Sequence, residues 1–222
     1  MNSVLNFAII ALGSVPFNTA NVNITSSPVT NWGVWGQFQK CPPGSGFVQG
    51  FQLKRHFDGG IFSDETGLNA IRLFCGDKKR YHITNISSTE GELGEWGRLY
   101  SCFPGYLNGF QLRVMDYQKS RDDMATTNVR FLCTNLANDS YLQGDGLGDG
   151  NWGEVKRCNT NQVICGIQTQ VDRPQRSDDD TSLNNVLMEC CDYIPNYSNV
   201  VFFKFREYVR TIARLFEYLK FL

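Results

Sequence analysis

The chain repeats itself three times, and no other feature constrains its fold as strongly. The units run over residues 31–75, 91–133 and 148–191. Each opens on Trp-Gly, at Trp35-Gly36, Trp96-Gly97 and Trp152-Gly153, and a cysteine follows shortly after, at Cys41, Cys102 and Cys158. A Gly-apolar-Gln step comes next, at Gly50-Phe51-Gln52, Gly109-Phe110-Gln111 and Gly166-Ile167-Gln168. Then comes an acidic turn: Asp64-Glu65-Thr66, Asp122-Asp123-Met124 and Asp179-Asp180-Thr181. Each unit closes on an apolar run that ends in cysteine, at Cys75, Cys133 and Cys190; these are 58 and then 57 positions apart.

The patterned segments read as strands. Phe51-Gln52-Leu53-Lys54, Phe110-Gln111-Leu112-Arg113, Ile71-Arg72-Leu73 and Val129-Arg130-Phe131 alternate apolar and polar with period two. Alternation buries one face and wets the other, which suits antiparallel sheets. Glycine-rich joints separate the strands, and no unit holds an amphipathic helix. Three small β units close a core only by packing on one another, as a three-fold prism or a trefoil. Trp32, Trp35, Trp96 and Trp152, set beside glycine, are expected to fill that core or its axis. Arg72 and Arg130 alternate with apolar neighbours and read as the solvated face. The third unit breaks this symmetry with Leu187.

Eight cysteines form an even set. The repeats pair Cys41 with Cys75 and Cys102 with Cys133. In the third unit Cys158 pairs with Cys190 or Cys191, and Cys165 takes the other. Neighbouring cysteines on a strand point to opposite faces, so two bridges can leave on opposite sides. Zinc-type Cys-X-X-Cys pairs are absent, and His56 and His82 lie outside any ligand spacing. No metal and no cofactor is expected. Residues Val4–Val15 form an apolar run with the length of a signal-peptide core, too short to span a bilayer. Residues 1–20 are therefore read as a signal peptide and 21–28 as a linker. Asn23, Asn85, Asn138 and Asn196 head Asn-X-Ser/Thr sequons. Together with the cysteines, these predict a secreted, extracellular glycoprotein. A net charge of -1 leaves no electrostatic footprint for nucleic acid.

The motif Trp-Gly…Cys…Gly-Phe-Gln-Leu…Asp-Glu-Thr-Gly-Leu-Asn-Ala-Ile-Arg-Leu-Phe-Cys, taken three times and ended by Cys190-Cys191, resembles the vitelline membrane outer layer protein I family. The likeness covers residues 29–192. It implies an all-β fold, a β-prism I of three Greek-key antiparallel sheets about a pseudo-three-fold axis, as in jacalin-type lectins. It implies disulfides Cys41–Cys75, Cys102–Cys133, Cys158–Cys191 and Cys165–Cys190. It also implies secretion, a place in an extracellular coat, and a prototype associated with chito-oligosaccharide transfer. No catalytic residue set comes with it.

Chemistry is sought in the acidic turns. Asp64, Glu65, Asp122, Asp123, Asp179 and Asp180 would gather at one end of a three-fold body, where carboxylates hydrogen-bond sugar hydroxyls. The same groups read as turn formers, because Asp before Thr accepts from the amides ahead of it. As an acid–base pair they would act on glycosidic bonds, which makes glycosyl transfer on N-acetylchito-oligosaccharides the alternative activity. The primary expectation is a structural or glycan-binding protein whose partner is an oligosaccharide or a matrix glycoprotein. Gly144–Asn151 fails the calcium-loop spacing, with Leu147 at a ligand position. After Cys191 the chain continues for 31 residues, where the family stops. Residues 193–222 read as a basic amphipathic helical extension, with Val201, Phe205, Val209, Ile212, Phe216 and Leu219 at helical spacing. Such a helix is expected to contact a membrane or a protein partner.

Overall fold

The computed structural model describes residues 21–56, 66–81, 83–116, 124–137, 140–173 and 181–193. Among the described residues, fifteen strands follow one another. They are β1 (Val22–Thr25), β2 (Val34–Trp35), β3 (Gln39–Lys40), β4 (Phe47–Arg55), β5 (Leu68–Gly76), β6 (Thr84–Ser87), β7 (Glu95–Trp96) and β8 (Tyr100–Ser101). Then come β9 (Leu107–Val114), β10 (Thr126–Cys133), β11 (Tyr141–Gln143), β12 (Asn151–Trp152), β13 (Lys156–Arg157), β14 (Gln162–Val171) and β15 (Leu183–Asp192).

Three long hairpins, β4–β5, β9–β10 and β14–β15, each seed one antiparallel sheet. On the outer side of β5 lies β6, and on the outer side of β4 lie β7 and β8. The second sheet repeats this with β11, β12 and β13. The third is completed by the start of the chain: β1 pairs with β15, and β2 and β3 pair with β14. Each Trp-Gly strand therefore joins the hairpin of the preceding unit, and the first unit closes the circle on the third. The result is a triangular prism of three sheets.

Residues 21–28 were expected to be a linker, and the structure corrects this. Val22–Thr25 are in register with Cys190–Leu187; the Ser26 amide donates to the Val186 carbonyl, and the Val186 amide donates to the Ser26 hydroxyl. Without β1 the third sheet would leave β15 as a bare edge. The fold class is corrected as well: no helix occurs among the described residues, and the sheets enclose the core by themselves. The expected helical extension 193–222 lies, apart from Tyr193, outside the described residues, as does the leader 1–20.

The core follows from the alternation, which two register shifts interrupt in each hairpin. Phe51, Leu53, Ile71 and Leu73 in the first sheet are sealed from solvent. So are Leu107, Phe110, Val129 and Phe131 in the second, and Ile164, Ile167, Val186 and Met188 in the third. From Val48 to Phe51 the inward step is three residues rather than two. A bulge between Val48 and Gly50 causes this, and it recurs between Ile164 and Gly166. The bulged residues are Gln49, Asn108 and Cys165. Their carbonyls accept the amides of Cys102, Cys158 and Cys41 at 2.7, 2.9 and 2.9 Å.

That arrangement decides the sulfur pairing. Cys41–Cys75 and Cys102–Cys133 are bonded, each joining a strand end on one sheet to the central hairpin of the next. In the third unit the bonds are Cys158–Cys190 and Cys165–Cys191. The implied pairs Cys158–Cys191 and Cys165–Cys190 are therefore exchanged. The reason is register: Cys190 faces Ile164 as Cys75 faces Val48 and Cys133 faces Leu107, all pointing into the core. Cys191 is on the opposite face of β15, with the bulged Cys165. Three disulfides thus link the three sheets in a ring, and the fourth ties two strands of one hairpin.

Candidate functional site

All six carboxylates singled out above, on Asp64, Glu65, Asp122, Asp123, Asp179 and Asp180, lie outside the described residues, within the hairpin connections 57–65, 117–123 and 174–180. Their anchors are described. Thr66, Asn69, Thr126, Thr127, Asn128, Thr181, Ser182, Asn184 and Asn185 are all buried. Asn69 donates to the Thr66 hydroxyl at 2.7 Å, and Asn184 donates to Thr181 at 2.8 Å in the same i, i+3 arrangement. Two further bonds cross between sheets: Ser182 donates to Asn69 at 2.9 Å, and Thr126 donates to the Asn184 carbonyl at 3.1 Å. Buried polar groups are tolerated when paired in this way. The buried Thr, Ser and Asn residues that follow each acidic segment in sequence therefore meet at one end of the prism.

The outer faces explain the other half of the repeat. Gln52, Gln111 and Gln168 point outward and donate to the carbonyls of Gly97, Gly153 and Gly36. Each Gly-apolar-Gln step thus clamps a Trp-Gly strand onto the sheet. Gly33, Gly94 and Gly150 precede these strands at φ of +79°, +84° and +80°. A Cβ there would approach the facing backbone to 2.3–2.4 Å, so only glycine fits. The tryptophans were expected in the core. Instead this turn and clamp set Trp35, Trp96 and Trp152 on the outer faces, and Trp32 is also exposed. Arg72 lies 3.7 Å from the centroid of Trp96, and Arg130 lies 4.3 Å from that of Trp152 and 3.9 Å from that of Tyr141. These are cation–π contacts. Arg72 also reaches Glu90 at 4.0 Å.

At the far end of the prism one aromatic ring from each sheet closes the core. Tyr106 lies 5.6 Å from Phe47 and 4.9 Å from Tyr193, and Phe47 lies 5.9 Å from Tyr193. Burial, with the neighbouring Tyr193 and Asp77, pushes the Tyr106 phenol up to about 12. An unfolded tyrosine ionises near pH 10. The buried neutral phenol therefore contributes stability in full below about pH 10, and loses it as the pH climbs towards 12. Tyr106→Phe is expected to flatten that alkaline decline; urea midpoints from pH 8 to 12 test it, and an unchanged slope refutes it.

Beside this plug is a cleft of about 510 Å³ lined by amides, hydroxyls and one ring, among them Asn108, Thr134, Asn159, Thr160 and Tyr193. Sequence reasoning missed it, because it lies between two sheets. Cys165, Glu189 and Cys191 bring ligand-type atoms within 4.8 Å of one another. Both sulfurs are locked in a disulfide, and Lys40 holds the carboxylate at 2.9 Å, so the group is a staple beside an ion pair. Of the sequons, Asn23 and Asn85 are exposed on edge strands β1 and β6. They face Glu189 and Phe74, which are equivalent positions of the two sheets. Asn138 and Asn196 lie outside the described residues.

A family model described as Vitelline membrane outer layer protein I matches residues 22–193. The chain is 33% identical over 198 residues to the vitelline membrane outer layer protein 1 homolog of Mus musculus, covering 82% of this chain and 94% of that protein. It is 37% identical over 175 residues to the Homo sapiens homolog, covering 78% and 83% respectively. Among solved structures it aligns with a prostate-specific WGA16 glycoprotein lectin at 13% identity and a TM-score of 0.47, over 77% of this chain and 99% of that one. A mannose binding jacalin related lectin from Ananas comosus aligns at 9% identity and a TM-score of 0.44, over 78% and 98%.

Proposed function

The chain belongs to the vitelline membrane outer layer protein I family, and from that premise we propose that it is a secreted glycan-binding component of an extracellular coat or secretion. One observation carries the reading. The buried Thr, Ser and Asn residues that come directly after the three acid-bearing segments in sequence meet at one end of a disulfide-linked prism. Carboxylates grouped this way accept hydrogen bonds from neighbouring sugar hydroxyls, each worth about 1.5–3 kcal/mol when the acceptor is charged. The four disulfides support an oxidising destination. The exposed Asn23 and Asn85 side chains suit glycan attachment in the secretory pathway.

A glycan array probed with the full chain tests the reading. Retention of an oligosaccharide is expected, weakened at least tenfold by the paired changes Asp64→Asn with Glu65→Gln, or Asp179→Asn with Asp180→Asn. A chain that retains no glycan at millimolar concentration overturns it. In a secretory host the chain is expected in the medium, with a glycosidase-sensitive mass increment that Asn23→Gln and Asn85→Gln reduce; an unmodified intracellular product refutes secretion.

A further inference from the structure

The three outer faces are not equal, and the differences point one way. Over Trp96 lies Arg72, with Lys54 opposite in register. Over Trp152 lies Arg130, and Arg113, opposite in register, is 5.8 Å from the ring centroid. At the matching places around Trp35 stand Leu187 and Gln170. Both cations are gone, and Trp35 keeps 41% of its surface exposed. A second departure lies on the same face. Where the other sheets carry Leu99 and Val155, the third carries Phe38, also 41% exposed, with its ring over Gly166. Gly166 is four residues along β14 from Gln170, the register partner of Trp35, so the two rings are about 13 Å apart at the strand rise. Between them lies the outward amide of Gln168, whose nitrogen is held by the Gly36 carbonyl at 2.8 Å.

We propose that this face, Trp35–Gln168–Leu187–Phe38, binds an oligosaccharide chain laid along β14, one sugar ring on each aromatic. The occupant follows from the chemistry. The C–H face of a pyranose stacks on an uncharged aromatic ring, and Gln168 offers its amide oxygen to a hydroxyl or N-acetyl group between the rings. The cations that fill the other two faces would exclude a sugar from them. The ring spacing calls for several linked sugars rather than one. The strip begins one position from Val171, the last residue of β14 before the connection 174–180, so a chain bound there runs from that end of the prism down the face. The inference rests on the glycan-binding reading and gives it a direction and a ligand class, neutral oligosaccharides.

The test is titration of the full chain with cellohexaose, mannohexaose and N-acetylchitohexaose and with the matching monosaccharides, read by tryptophan fluorescence and calorimetry. At least one hexasaccharide is expected to bind ten times more tightly than its monosaccharide. Leu187→Arg restores the guanidinium present on the other two sheets, so it is compatible with the fold, and it should weaken that binding at least tenfold. Trp35→Ala should do the same. Hexasaccharide binding that survives both changes, or that only the carboxylate variants abolish, overturns the strip and leaves glycan binding standing. A chain that retains nothing on the array removes the reading and the strip together.

Discussion

Replacing Cys158 and Cys190 together by alanine is expected to lower the stability of the prism by about 4 kcal/mol, and its melting temperature by about 10 °C. The disulfide closes a loop of 32 positions, for which chain entropy alone amounts to about 3.5 kcal/mol. Cys190 is also wholly buried, so the alanine leaves a small void. Domains hold only about 5–15 kcal/mol in total, so a single bridge is a large share. Cys165–Cys191 closes 26 positions, and on entropy alone it should be worth nearly as much. It joins strands that are already paired in one hairpin, however, and a denatured hairpin that retains local pairing has less freedom to lose. Cys165→Ala with Cys191→Ala is therefore expected to cost about 2 kcal/mol. Urea unfolding of the two double variants measures both. Equal losses, or a larger loss for the second pair, would show that the sheet-to-sheet ring is not what distinguishes the bridges. Tandem mass spectrometry of the unreduced Cys190-Cys191 peptide should locate the Cys158 link on Cys190.

The sulfur pairing also marks where sequence stops informing. The near-constant spacing of Cys75, Cys133 and Cys190 makes Cys190 the third member of the series, and register agrees. The family resemblance implied Cys191 instead, and the difference of one residue is a difference of face. The three-fold all-β design was legible because period-two alternation and a recurrent motif survive in all three units. What the motif could not convey is that each Trp-Gly strand serves the hairpin before it. That is a tertiary exchange, written in no local pattern. For the same reason β1 reads as a linker: Val22-Asn23-Ile24-Thr25 alternates, but four residues are too few to mark a strand until β15 is beside them. The outward tryptophans had a local signal that was passed over, the glycine two positions earlier at Gly33, Gly94 and Gly150. The acidic segments lie outside the described residues, and the Thr and Asn residues behind them have a defined role. The aromatic strip emerges only when Leu187 and Phe38 are compared with their counterparts across the sheets.

Phe131→Ala is expected to be the most damaging single core truncation, at about 3–5 kcal/mol. The ring is wholly buried, 4.5 Å from Phe51 of the first sheet and 6.4 Å from Phe110 of its own. Phe51 in turn stacks on Tyr100 at 5.3 Å, so one aromatic column runs through the first two sheets. Removing its middle member leaves a void lined by side chains of separate sheets, and the disulfide ring restrains those sheets from closing in to fill it. A site that cannot collapse sits at the upper end of the truncation range. Phe131→Leu retains most of the volume and is expected to cost less than about 1.5 kcal/mol. Val34→Ala, on a residue 60% exposed, should stay within about 0.5 kcal/mol. Urea unfolding of the three variants orders them. A loss below about 1 kcal/mol for Phe131→Ala would mean that the sheets can close around the gap, and so that the prism is held by its bridges and edge strands rather than by a shared aromatic core.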